Sequence, residues 1–146
     1  MAEVKVTPKF KQAYAELNPE QKHAVDTIDG PVMVIAGPGT GKTRTITLRI
    51  ANILRNTDTS PSSILALTFT EAAAKEMRNR LRKLIGRTAY YVHVSTFHSF
   101  CTEVIRQNAD LFNLNPSVEP LSDLDRIKII HEIIDNHDWE KIRPVN

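Results

Sequence analysis

Ala36-Gly37-Pro38-Gly39-Thr40-Gly41-Lys42-Thr43 decides the fold of this 146-residue chain. The stretch reads as a phosphate-binding loop. Gly37, Gly39 and Gly41 let the backbone bend until successive N–H groups converge on an anion. Lys42 places a point charge on the terminal phosphates of a nucleotide, and Thr43 offers a hydroxyl to Mg²⁺. Pro38 fixes φ and stiffens the turn. Ala36 stands where the strict pattern has glycine, and a small side chain there still permits close packing. The motif needs a strand before it and a helix after it. Val32-Met33-Val34-Ile35 predicts a buried strand, and Ile46, Ile50, Ile53 and Leu54 share one face of a predicted helix. That helix adds its unpaired N–H groups and positive dipole end to the anion site. A glycine-rich turn without a ligand would explain neither the fixed residue types nor both flanks.

Outward from the loop the pattern repeats. Ile64-Leu65-Ala66-Leu67-Thr68-Phe69 predicts a second buried strand. Thr70 caps a second helix with Ala73, Met77, Leu81, Leu84 and Ile85 on its apolar face, and Gly86 ends it. Tyr91-Val92-His93-Val94-Ser95 predicts a third strand, and Phe97, Phe100, Cys101, Val104 and Ile105 line one face of a third helix. Alternating strands and helices predict an α/β parallel sheet. Ligands in such sheets sit at the carboxyl ends of the strands, so the phosphate loop, Thr68–Thr70 and Ser95–His98 are expected on one functional edge. Before the loop, Asn18-Pro19-Glu20-Gln21 predicts a helix start with a capping box, and Ala24, Val25 and Ile28 form its buried face. Residues 1–16 show no clear period and are expected to be a partly ordered lead-in. Residues 17–110 are expected to form the α/β domain. After residue 110, a linker-like stretch over 113–120 precedes a helix from Leu124 to Asn136 capped by Ser122, so residues 111–146 read as the opening of a separate helical element.

Composition bounds the rest. The length suits about one domain with a real core. No apolar run is long enough to span a membrane, and the first ten residues lack the apolar centre of a signal peptide, so a cytoplasmic location is expected. The single cysteine, Cys101, excludes an internal disulfide and reads as a buried small hydrophobe, and no zinc-ligand spacing is present. Net charge is only +2, but ten basic residues against three acids lie between Lys42 and Tyr91. A basic half can face a phosphate backbone, although charge alone favours solvated helix faces.

Four stretches together resemble superfamily 1 DNA helicases of the UvrD/Rep/PcrA type, with the RecB and AddA helicase–nuclease subunits close behind. Leu17-Asn18-Pro19-Glu20-Gln21 is similar to the family's Q motif, Ala36 to Thr43 to motif I, Ile64 to Met77 to motif Ia, and Ser95-Thr96-Phe97-His98-Ser99-Phe100 to motif Ib. The resemblance implies a P-loop NTPase (RecA-like) domain 1A, incomplete here, followed by the start of the α-helical 1B insertion. It implies ATP and Mg²⁺ as cofactors and single-stranded DNA as partner. The loop residues with Gln21 and Arg44 would hold the nucleotide. Gln21 would read the adenine edge, since its amide offers both a donor and an acceptor; its bland role is the capping box. Thr68, Phe69, Thr70, Thr96, Phe97 and His98 would contact DNA, with the Phe69 ring near a base. Plain core packing is the bland role of Phe69, and a helix-start histidine that of His98. Glu71-Ala72 replaces the family's usual Asn-Lys, which removes a lysine and adds an acid at that strand end.

ATP hydrolysis also needs an acid for Mg²⁺, a water-positioning carboxylate and an arginine on the γ-phosphate. No apolar strand ending in Asp-Glu occurs here. The family places that motif beyond residue 146, as it does the second RecA-like domain. The chain therefore reads as the N-terminal fragment of a 3′–5′ translocase acting in DNA repair or recombination, able to bind nucleotide but not to turn it over. Its partners would be single-stranded DNA, the remainder of the helicase chain and, in the RecB-like case, a nuclease domain or subunit. A small P-loop kinase or stand-alone nucleotide-binding module is the alternative, and a sheet fragment pairing through its open edge is a third.

Overall fold

The computed structural model describes residues 4–115, 119 and 121–137. The chain forms two compact units, residues 1–100 and 101–146. The first unit holds α1 (Pro8–Ala15), α2 (Pro19–Asp26), α3 (Lys42–Asn56), β1 (Leu65–Thr68), α4 (Glu71–Ile85), β2 (His93–Thr96) and the start of α5 (Phe97–Gln107); the second holds the rest of α5 and α6 (Asp123–Asn136).

Local chemistry sets most of these boundaries. In α2 the Asn18 side chain accepts from the Gln21 N–H at 2.7 Å, while Gln21 Oε1 accepts from the Asn18 N–H at 3.2 Å. This capping box satisfies two helix-end donors reciprocally, as the spacing predicts. At its other end Arg49 from α3 donates to the carbonyls of Ala24 and Thr27, placing a cation where the helix dipole is negative. The Thr70 hydroxyl accepts from Ala73 N–H to cap α4, and Gly86, with φ of 60°, stops it. Ser122 caps α6 by accepting from Asp125 N–H.

β1 and β2 pair in parallel with Thr68 opposite Thr96, and these two strands make the whole sheet among the described residues. The core lies where α4 packs on α1, α3 and the sheet. It gathers Phe10, Val25, Leu48, Leu54, Ala74, Met77, Leu81, Ile85 and Val94. Asn52 is buried among them, and it is satisfied because its Nδ2 donates to Val25 O at 3.1 Å.

Four expectations need correction. Val32 to Ile35 is not a strand. It has no ladder partner among the described residues, and Met33 and Ile35 stand 85% and 88% exposed. An apolar run becomes a buried strand only when a neighbour takes its N–H and C=O groups. The α3 stripe is also turned. Ile46 is exposed and Thr47 is buried, its hydroxyl donating to the helix carbonyls of Thr43 and Arg44 and so needing no outside partner. No residue of α5 is buried and Cys101 is exposed, although Phe100 stands edge-on to the His93 ring with centroids 6.1 Å apart. Finally, the lead-in is structured. Thr7 and Pro8 open α1, and Phe10 is 1% exposed, stacked on Tyr14 with ring centroids 5.7 Å apart. The expected linker over 113–120 lies partly outside the described residues.

Candidate functional site

The phosphate loop has the backbone its glycines allow. Gly39 and Gly41 adopt φ of 75° and 83°, in the left-handed region, and α3 begins directly at Lys42. Lys42 Nζ donates across the loop to the carbonyls of Ala36 at 3.1 Å and Gly37 at 2.6 Å, which aims its charge into the loop's concavity. The Thr40 hydroxyl donates to Gly37 O at 2.8 Å and tightens the turn. Pro38 is exposed at the tip, and Thr43 sits half-buried in the first turn of α3. These residues fit a nucleotide phosphate: a primary ammonium, a helix N-terminus and glycine-permitted N–H groups converge in one turn. Thr43 carries the hydroxyl that Mg²⁺ takes in such loops.

Gln21 meets this loop. Its Nε2 donates to Thr40 O at 3.0 Å while its Oε1 remains in the capping box. One side chain thus ties the α2 start to the loop, and one N–H and one lone pair of the amide remain for a ligand. A cleft of about 290 Å³ opens beside it, walled by Asn18, Gln21, Val34, Ala36, Thr40 and Lys42, among others. Arg44 points elsewhere. It donates to Ala13 O and pairs with Glu16 at 2.6 Å, so its guanidinium anchors α1 to α3.

The second group of expected site residues lies at the carboxyl ends of β1 and β2. Phe69 and Phe97 each stand one residue past the last pair of the register, Thr68↔Thr96. Phe69 is 96% exposed and Phe97 is 62% exposed. Phe69 therefore packs into no core among the described residues. Thr68 donates to Thr70 O, Thr70 caps α4, and His98 is exposed at the start of α5.

Glu71 is the site residue the motifs undervalue. Its Oε1 receives the Ser99 hydroxyl at 2.8 Å and the Thr96 hydroxyl at 3.1 Å. Thr96 Oγ1 in turn accepts from Ser99 N–H at 3.1 Å, capping α5. The Ser99 hydrogen bond, then that from Thr96, then the charge of Arg78 at 3.8 Å hold the Glu71 carboxyl below its ordinary range. Glu71 thereby clamps the β1–α4 turn to the β2–α5 turn and commits the Thr96 hydroxyl. The Thr-x-x-Ser spacing from Thr96 to Ser99 was the one available signal, and it speaks only of a helix cap.

A family profile described as the UvrD/REP helicase N-terminal domain matches residues 17–144. Curated relatives include the ATP-dependent DNA helicase PcrA of Staphylococcus aureus strain Mu50, 40% identical over 130 residues, which is 88% of this chain and 18% of that protein. PcrA of Staphylococcus epidermidis strain RP62A matches to the same extent. The chain thus spans 18% of the length of these relatives.

Proposed function

We propose, since the chain belongs to the UvrD/REP helicase N-terminal domain family, that it is the ATP-binding part of an ATP-dependent DNA helicase. The observation that carries the reading is the loop itself: Lys42 held over Ala36 and Gly37, two left-handed glycines, and α3 starting at the same point. Lys42 and the N–H groups of Gly39 to Thr43 bind the β/γ-phosphates; Thr43 serves the Mg²⁺. Gln21, spanning cap and loop, orients the base at the cleft. Bound ATP with Mg²⁺ supplies the phosphoanhydride whose cleavage powers such enzymes.

The strand-end edge serves as the single-stranded DNA track. Two exposed rings, Phe69 and Phe97, each one residue past the paired Thr68 and Thr96, offer faces on which bases of any sequence can stack. Thr68, Thr70 and His98 border them. The remaining strands of a RecA-like sheet, from sequence outside this stretch, cover the exposed Val32 to Ile35 run. A second RecA-like domain completes the ATP site, and the whole protein translocates 3′–5′ in repair or recombination.

The test is titration of the purified chain with a fluorescent ATP analogue and Mg²⁺, beside Lys42→Ala. Binding is expected in the native sequence and at least about tenfold weaker in the variant, since a charge-assisted phosphate contact contributes roughly 1.5–3 kcal/mol. Equal binding by both proteins would sink the nucleotide reading. Steady-state ATP hydrolysis that disappears in Lys42→Ala would contradict the claim that this stretch alone cannot turn over.

A further inference from the structure

The outer face of α4 carries a feature that neither the phosphate loop nor the strand-end edge uses. Lys75, Arg78 and Arg82 recur at i, i+3 and i+7, so they stand on one helix face. A cleft of about 240 Å³ runs beside them, floored by buried Ala89 and Val92 and closed by Asn79 and Tyr90. Tyr90 is 70% exposed, and Arg82 reaches its hydroxyl at 3.5 Å while contacting Asn79 Oδ1 at 3.3 Å. Three like charges on one helix face repel one another. Arg78 pairs with Glu71 at 3.8 Å, and the Oε1 of that carboxylate already receives Ser99 and Thr96. The other acid of the helix, Glu76, is paired with Arg80. The helix dipole accounts for basic residues in the last turn, such as Arg82, but not for Lys75 or Arg78.

We propose that this cleft is a second contact for a nucleic-acid strand, with phosphodiesters on Lys75, Arg78 and Arg82 and a base against Tyr90. The cations extend about 10 Å along the helix at 1.5 Å per residue, which suits a run of phosphates better than a single anion. An exposed aromatic beside the cations favours a nucleic acid over an acidic protein, because it offers a face to stack on. Arg78, Arg82 and Tyr90 lie outside every motif quoted above. The stripe stands apart from the strand-end track, although Arg78 brings it up to Glu71 at that edge.

The experiment follows binding of a fluorescein-labelled oligothymidylate to the whole chain by anisotropy across a salt series. It compares the native sequence with the triple variant Lys75→Gln/Arg78→Gln/Arg82→Gln, with Tyr90→Ala and Tyr90→Phe, and with Phe69→Ala; circular dichroism checks that each folds. Each lost phosphate contact lowers the salt slope by about 0.7 on a single strand, so the triple variant is expected to lose about 2 from it. Tyr90→Ala is expected to weaken binding roughly five- to a hundredfold, to leave binding of an abasic oligomer unchanged, and to be rescued by Tyr90→Phe. A triple variant with the native salt slope overturns the proposal, as does a native chain that binds no oligothymidylate. Polyglutamate competing as well as unlabelled oligothymidylate, with Tyr90→Ala without effect, overturns it in favour of an acidic protein partner. Loss of binding in Phe69→Ala with a silent triple variant overturns it while sparing the strand-end track; the converse result supports it and removes the track.

Discussion

Phe10→Ala tests whether α1 belongs to the core of the first compact unit or merely leans on it. Phe10 is 1% exposed, stacks on Tyr14, and has the Arg55 guanidinium 5.8 Å from its ring centre. Its helix packs on both α3 and α4, and Thr7 donates its N–H to Leu84 O at 2.8 Å and its hydroxyl to Lys83 O at 2.6 Å. Truncating a buried phenylalanine removes its transfer free energy and leaves a cavity, together about 3–5 kcal/mol. Residues 1–100 form one compact unit, whose unfolding entropy at roughly 2.1 cal/mol/K per residue is about 0.21 kcal/mol/K. The midpoint is therefore expected to fall by about 14–24 °C. Thermal and urea unfolding followed by circular dichroism measure this, with exposed Lys9→Ala as a control expected to shift the midpoint by no more than about 2 °C. The loss matters for function because α1 also supplies Ala13 O and Glu16 to Arg44, two residues past Lys42. A Phe10→Ala loss below about 1 kcal/mol, no larger than a surface change, would refute the placement of α1 in the core.

Gly41→Ala would force a side chain into φ of 83° with its Cβ 3.4 Å from Gln21 Nε2; a cost of about 1–2 kcal/mol and weaker ATP-analogue binding are expected, by thermal unfolding and the same titration. Glu71→Gln probes the clamp through pH. The folded-state carboxyl titrates below its ordinary 4.5, so its contribution is fully present above that value and is lost as pH falls through the folded-state value. The stability difference between native and variant chains, measured by urea unfolding from neutral pH downward, is expected to close in that acid window; a difference constant with pH would contradict the clamp.

The sequence by itself determined what short-range chemistry controls. Asn18 and Gln21 sit three apart, and a cap needs no more than that spacing. The phosphate loop was legible for the same reason: glycine permissiveness and a lysine opening a helix act within eight residues. Thr70 and Ser122 as caps, Gly86 as a stop, and the buried stripe of α4 followed equally. The α1 signal was present too, in Pro8 after Thr7 and in Phe10, Ala13, Tyr14 and Leu17 at helical spacing, but mixed charge obscured it.

Tertiary structure decided the rest, because those features join distant residues. Val32 to Ile35 carries strand-forming side chains, yet a strand exists only with a neighbour to share its hydrogen bonds. That Phe69 and Phe97 each follow one member of a paired Thr68 and Thr96 comes from the parallel register of β1 and β2, which no local pattern encodes. The Glu71 clamp spans 25 residues to Thr96 and 28 to Ser99. Along the chain Glu71 is one acid at a helix start; only folding sets it against the hydroxyls of the neighbouring strand end.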